Sequence, residues 1–580
     1  MNTDMSTKLG EEDTLRKKIW KIINIIQANQ LFVHSKNITI KYSSGKSKKS
    51  KTQALPEILT LCVLNALVSN SAMILVGGHG GGKTTLVKLL GRMFTSNSLN
   101  EIENSIIRGH PQLTEEKLIG TLKLGKLMHE GKEEVVWRDF IKNFWKIIDE
   151  VNRLTPYAQD ILLSLLAEGT VKYYDEITTI SKYCLYATIN PQDVGTFELS
   201  EPFLDRFGIS APISMPISHD LQLILSGKDE KYSGYDELVQ VPKILKIDEL
   251  MEIWYHVNKV DFTQDVNKYI HAIVREFTLC ARIDKGNIEN QKPSTGLCSG
   301  CHFNTTQNVC NNIDSILSVR VAKDLLRYSR ALAWLLGIKE VDVNIVNTIA
   351  PYVISHRIAY APRELEKAPY FGNKYEFTRH VLELVQKRFK NRTPCYLMTE
   401  RFREGSPKQA DLTELKKFQK NDLIVKYDLI PFVESINNKE YSDLAQKIIS
   451  ASKTGNIDEL AKIRNFLVEN IDFPNRGDLI NWCNRELYKQ TVTDYVFKYY
   501  HQKEIWADIA SEFSNLDEPL KEAFSKRQTK QVRTEDLLIE INVTGTNDDS
   551  LVNIQISGGS DALKLRKLLD NLEYIQKEED

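Results

Sequence analysis

AMILVGGHGGGKTTLVKLLGRMF, Ala72 to Phe94, decides the fold. An apolar run leads into the glycines, an amphipathic helix pattern follows them, and between the two stands G-x-x-x-x-G-K-T at Gly77 to Thr84. Strand, glycine loop and helix in that order are the context in which this motif binds phosphate. Glycines let backbone N–H groups curl round an anion, and the helix N-terminus adds its positive end. The candidate cradle comprises Gly77, Gly78, His79, Gly80, Gly81, Gly82, Lys83, Thr84 and Thr85. Lys83 is placed to reach the β- and γ-phosphates of a nucleotide and Thr84 to hold Mg²⁺.

A phosphate site of this kind needs a second strand that carries carboxylates. FWKIIDEVNR, Phe144 to Arg153, supplies one, with Asp149 at the end of an apolar run and Glu150 beside it. The aspartate suits the Mg²⁺ shell, and the glutamate suits orienting and deprotonating an attacking water. An Asp-Glu pair after an apolar run is common, and the cradle is what gives this one its meaning. A third strand, YCLYATINP, ends in Asn190. An amide at a strand tip can position water near the γ-phosphate, or simply cap the next turn. ELSEPFLDRFGIS then brings Arg206, and a lone arginine in such a place is most often a surface ion pair.

In this order the blocks GGHGGGKTT, IIRGHPQLTEEKLIGTL, IIDEVNRLTPYAQDILLSLLAEGTV, YATINP, LSEPFLDRF, SVRVAKDLLRYSRALAWLLG and VISHRI resemble the MoxR branch of the AAA+ ATPases, from roughly Pro56 to Ile358. The resemblance implies an α/β fold: a P-loop AAA+ domain of three αβα layers with an all-α lid. Carried over by position, Lys83 and Thr84 look like the Walker A residues, Asp149 and Glu150 like the Walker B pair, and Asn190 like sensor 1. Arg206 looks like an arginine finger that reaches the nucleotide of a neighbouring subunit, and Arg320 like sensor 2. ATP with Mg²⁺ is implied, and so is a homo-oligomeric ring, a hexamer. The implied partner is a client protein, in this family often one with a von Willebrand factor A domain or an enzyme awaiting its metal. Gly120 to Trp137 and Glu168 to Thr179 fall where the family carries hairpins that grip partners. Two departures stand out: His79 and Gly81 replace a proline and a threonine of the usual loop, and Val319 replaces the proline before the sensor 2 arginine.

Four of the eight cysteines, Cys280, Cys298, Cys301 and Cys310, crowd into one stretch, followed closely at Cys301 by His302. C-x-x-C-H is a haem attachment signature, half a zinc site or a redox dithiol when read alone. A connection this long and aperiodic between two lid helices needs a clip to stay ordered, and four thiolates round a structural Zn²⁺ supply one. An iron–sulfur cluster fits the same spacing, and unrelated buried thiols are the plainer alternative.

Net charge is −1, so no global basic field favours nucleic acid, and a helicase-like motor is the competing class rather than the leading one. The N-terminus lacks the apolar core of a secretory signal, and the apolar run Leu59 to Val76 is interrupted by Asn65, Ser69, Asn70 and Ser71. A cytoplasmic chain with no membrane partner is expected. NKVD at Asn258 to Asp261 matches a guanine-recognition motif, but it follows a helical rather than a buried-strand pattern. Residues 1–54 read as a helix and a lysine-rich solvated linker, 55–216 as the nucleotide domain and 217–361 as the lid. Residues 362–531 carry helical patterns, and within 532–580 LLIEINVTGTNDDSLVNIQIS alternates on both sides of a turn, which predicts a β-hairpin before a last helix.

Overall fold

Ser71–Gly77 (β1), Ile106–Arg108 (β2), Trp145–Asp149 (β3), Cys184–Ile189 (β4) and Ile209–Ile213 (β5) form one sheet in the order β5-β1-β4-β3-β2. Its four pairings are all parallel. A parallel sheet is covered on both faces, which is why these strands read as unbroken apolar runs. Side chains alternate between two cores: Met73 and Leu75 enter one, Ala72 and Ile74 the other. Lys83–Thr95 (α1) lays Leu86, Leu89, Leu90 and Met93 into the first core, the i, i+3, i+4, i+7 stripe of an amphipathic helix. Pro156–Glu168 (α2) lays Ala158, Leu162 and Leu165 into the second. Each buried leucine contributes about 1.5–3 kcal/mol. α2 starts where Thr155 accepts from the Ala158 N–H at 3.3 Å with Pro156 in the first turn, and stops at Gly169 in a left-handed conformation.

These features come from a computed structural model, which describes residues 2–44, 49–78, 80–123, 134–174, 176–180, 182–191, 196–223, 225, 241–280, 301–303, 305, 307–473, 475–490, 530–533, 537–544 and 551–558. The chain divides into two compact units, Met1–Arg392 and Thr393–Asp580.

Within the first unit a helix, Asn2–Ala28, buries Leu15, Ile19, Ile22, Ile23 and Ile26. The stretch expected as a solvated linker is instead an antiparallel ribbon, Asn37–Ser44 with Lys49–Pro56, in which Ile38 faces Leu55. Ile38, Ile40 and Leu55 are buried. The alternation in NITIKY decides this structure, and Lys41 and Lys51 within it stay exposed. The lid is helical, as the sequence led us to expect: Ile247–Asn258, Gln264–Glu276, Arg320–Leu335 and Val343–Ile354, joined by a two-residue parallel bridge from Asp261–Phe262 to Glu340–Val341. Two hairpins leave the sheet, Gly120–Leu122 with Val135–Trp137 and Thr170–Tyr173 with Glu176–Thr179. They meet where the Val135 N–H donates to Glu176 Oε1 at 3.1 Å.

In the second unit, Lys439–Thr454, Ile457–Glu469 and Arg476–Gln490 pack Tyr441, Ile448, Leu460, Leu467, Leu479 and Cys483 together. Asn438 and Asn456 cap the first two of these helices by accepting from Tyr441 N and Glu459 N at 2.8 and 3.1 Å. The expected C-terminal hairpin is present as Leu537–Thr544 with Leu551–Gly558, and Lys530–Arg533 adds a third strand. The helix expected from Ser560 lies outside the described residues.

Candidate nucleotide site

The carboxyl ends of β1, β3 and β4 converge on one spot, the place where open α/β sheets bind ligands. Gly77 closes β1 against the backbone of Ile213, so near that a Cβ at position 77 would stand 2.4 Å from the Ile213 carbonyl oxygen. From there the chain swings through the glycine loop, and Gly82, at φ 66°, turns it into α1. The Lys83 ammonium donates to the carbonyls of Gly77 at 2.7 Å and Gly78 at 2.6 Å, which holds it over the loop. Partial burial lowers its pKa, against the opposing pull of Asp149 and Glu150. His79 lies outside the described residues.

Asp149, at the tip of β3, accepts from two hydroxyls at the same oxygen: Thr84 Oγ1 and Thr188 Oγ1, both at 2.7 Å from Oδ1. A threonine hydroxyl beside a carboxylate is the hard-oxygen pair that Mg²⁺ prefers, so these residues fit the cation that a nucleotide brings. Thr188 also accepts from the Glu150 N–H at 2.8 Å. Glu150 stands at φ 54°, a left-handed conformation rare outside glycine, and its carboxylate pairs with Arg153 at 3.1 Å. Gly109 secures the far side of this turn by donating to the Asp149 carbonyl at 2.7 Å. Asn190 is 2% exposed just beyond β4, whose last residue, Ile189, is in register with Val76. It therefore sits level with the start of the loop, and its carbonyl accepts from Asn152 Nδ2 at 2.9 Å.

Arg206 and Arg320 are elsewhere. Arg206 precedes β5, whose first residue, Ile209, is in register with Met73, while its last, Ile213, is in register with Gly77. Four residues of strand span about 13 Å, so Arg206 lies at the end of the sheet away from its own loop. Arg320 Nη1 donates to Asp205 Oδ2 at 2.7 Å at that same far end.

Cys298 lies outside the described residues, and among those described no group of three or more His, Cys, Asp or Glu side chains can hold a metal. The zinc or iron–sulfur expectation thus finds no support. The segment from Cys301 to Leu317 is secured by protein contacts: Arg388 donates to Asn308 Oδ1 at 2.7 Å, Arg363 to Asn311 Oδ1 at 2.6 Å, and Ile313 bridges to Tyr360. Val309, Ile313 and Leu317 are buried beneath it, so packing holds this end of the connection.

Sequence reasoning missed three partners of the loop. Thr188 lies two residues before Asn190, so strand alternation could have placed both on one face. Gly109 was visible only as part of a matched block. The third is a cavity of about 480 Å³, lined in part by Gln30, Phe32, His34, Ile58 and His219, for which no motif exists. Phe32 joins it to the loop, its ring 3.5 Å from where a Cβ on Gly82 would stand. Ser35 fastens the cavity wall by bonding Asp220 through both its hydroxyl and its N–H. Burial lowers the pKa of His34 there, with Glu57 and Asp220 pulling the other way.

A family of AAA domains, the dynein-related subfamily, matches residues 72–207, the span that holds Lys83, Thr84, Asp149, Glu150, Thr188 and Asn190. Residues 72–207 form an AAA+ P-loop domain. No curated protein matches the sequence. A crystal structure from Cytophaga hutchinsonii, of a protein provisionally named an ATPase, is similar over 66% of this chain and 98% of its own, at 20% identity and a TM-score of 0.48. Among the described residues, no helix flanking the AAA+ domain or within it is long and apolar enough to cross a membrane.

Proposed function

We propose that this chain is an ATPase of the MoxR type, which works as a homo-oligomeric ring and uses ATP hydrolysis to remodel or mature a partner protein. The observation that carries the ATPase reading is the convergence of Lys83, Thr84, Asp149, Thr188 and Glu150 at one end of the sheet. Lys83 binds the phosphates, and Thr84 with Asp149 holds Mg²⁺, which when bound neutralises charge on the β- and γ-phosphate oxygens. Glu150 orients a water and takes its proton, and Asn190 fixes that water from the neighbouring strand. The adenosine moiety occupies the cavity beside Phe32, whose volume suits a ligand of that size.

The support for a ring is where Arg206 sits. It lies far from its own loop, so it serves phosphoryl transfer only by entering the site of a neighbour, where its charge stabilises the transition state. The two hairpins and the second unit are the surfaces left for a client, for which a von Willebrand factor A domain protein is our candidate.

Steady-state ATPase activity against protein concentration tests this reading, with Arg206→Ala titrated into wild type. Specific activity that rises with concentration and is poisoned by the variant is the expected result. Turnover independent of concentration would leave the ring without support, and nucleotide bound without turnover would favour a switch.

A further inference from the structure

We infer that Arg357 is the positioning residue for Arg206 and makes the aim of that arginine depend on the lid of its own subunit. This rests on Arg206 acting on a neighbouring nucleotide, as proposed above.

Arg206 stands between two residues whose main-chain oxygens are both held from the lid. Arg357 Nη2 donates to the Asp205 carbonyl at 3.2 Å and to the Phe207 carbonyl at 2.7 Å. The same nitrogen reaches Asp324 Oδ2 at 2.5 Å, on the lid helix Arg320–Leu335. His356 adds a second hold on the Phe207 carbonyl through Nε2 at 2.7 Å. The Asp205 side chain is tied in turn: Arg320 meets Oδ2 at 2.7 Å, Ser318 Oγ donates to Oδ1 at 2.6 Å, and Arg357 Nε lies 3.7 Å from Oδ1. Every donor in this bracket belongs to residues 318–357, and every backbone acceptor to the turn that presents Arg206.

Burial separates Arg357 from an ordinary surface pair. Its side chain is 1% exposed, against 48% for Arg320. A guanidinium taken out of water gains little net stability even when well paired, and an apolar side chain could join lid to sheet as firmly. What the group adds is direction, because one nitrogen, Nη2, donates to the carbonyls on either side of a single residue. The Cα of Arg206 is thereby set relative to the lid, and when the lid moves the bracket moves with it. Misplacing a transition-state charge by about 1 Å costs on the order of a hundredfold in rate.

Steady-state MgATP hydrolysis by the full chain, at concentrations where specific activity has levelled, tests the inference with Arg206→Ala, Arg357→Lys, Asp205→Asn and the two doubles that combine each of the latter with Arg206→Ala. Lysine keeps the charge, but its shorter stem does not bring an ammonium to the place that Nη2 holds between the two carbonyls and Asp324. The expected result is kcat lowered about tenfold or more by Arg357→Lys and in the same direction by Asp205→Asn, KM for MgATP unchanged, and no further loss in either double beyond Arg206→Ala alone. Losses that multiply in the doubles, or that appear in KM, would mark a structural role and overturn the inference. Should Arg357→Lys fail to fold, the partly exposed Asp205→Asn and its double decide alone. An Arg206→Ala protein with full activity removes the proposed function's finger, and this inference with it. An impaired Arg206→Ala beside fully active Arg357→Lys and Asp205→Asn overturns the positioning role only.

Discussion

Thr188 donates its hydroxyl hydrogen to Asp149 across 2.7 Å while accepting the N–H of Glu150 at 2.8 Å. One side chain on β4 thus sets both Asp149 at the end of β3 and Glu150 just beyond it, and Thr188→Val should show it. Valine keeps the shape and the strand propensity but neither bonds Asp149 nor receives Glu150. We expect kcat to fall about tenfold or more, with ATP affinity changed little, read by steady-state kinetics beside equilibrium nucleotide binding.

Glu150→Gln should bind MgATP as wild type does and turn it over at least a hundredfold more slowly, since an amide takes no proton and general base catalysis contributes roughly 10²–10⁴-fold. Single-turnover measurement of phosphate release decides it. Normal release from this variant would remove Glu150 from the chemistry.

Gly109→Ala reaches the same turn from the other side. An added Cβ would stand 2.0 Å from the Glu150 carbonyl oxygen, which no relaxed backbone tolerates. The turn must shift, at a cost of about 1–3 kcal/mol by analogy with overpacked cores. A lower unfolding midpoint together with lost turnover is the expected pair, and loss of either alone would contradict the close approach.

Phe32→Ala should weaken ATP binding about tenfold through lost ring contact, as aromatic–base stacking contributes roughly 1–3 kcal/mol. kcat at saturating ATP should hold, since Phe32 approaches the loop at Gly82 rather than at the strand tips. Unaltered affinity would move the adenosine out of the cavity.

The loop and the Asp149–Glu150 pair were legible in the sequence because each is a short run of neighbours whose chemistry is set by local spacing. Arg320 and Asp205 meet across 115 residues, and no spacing rule connects them. Gly109 and Thr188 carried their signal in tertiary register, which appears only when β2, β3 and β4 lie side by side. One reading failed for a physical reason: lysine density in the N-terminal stretch was taken as decisive, while the buried Ile38 and Ile40 set the structure there. The fold class was readable throughout, since strand and helix periods persist even where individual contacts are hidden.

Acid should act on the lid through His356. Burial first, and Arg357 beside it, push the imidazole from its ordinary 6.5 to about 3 in the folded chain. The unfolded chain therefore binds a proton that the folded one does not between these values, so stability is fully present above pH 6.5 and is lost as pH falls towards 3. The slope is about 1.4 kcal/mol per pH unit at most. His356→Gln keeps a donor for the Phe207 carbonyl and cannot titrate. Its unfolding midpoint should fall less than that of wild type between pH 6.5 and 4, a window taken from the shift itself. Parallel curves for the two proteins would assign the acid response to other groups.

Gly77 and Ile213 touch backbone to backbone, and the strand that ends at Ile213 begins three residues after Arg206. A paired strand of five residues is a strut: it neither stretches nor slips without breaking its register to β1. A glycine loop that rises or settles as phosphates come and go leans on one end of that strut, and the turn bearing Arg206 rides on the other. In the proposed ring, loading the subunit's own site and aiming at the next one would be mechanically in series, with a rigid rod rather than a relay of side chains between them.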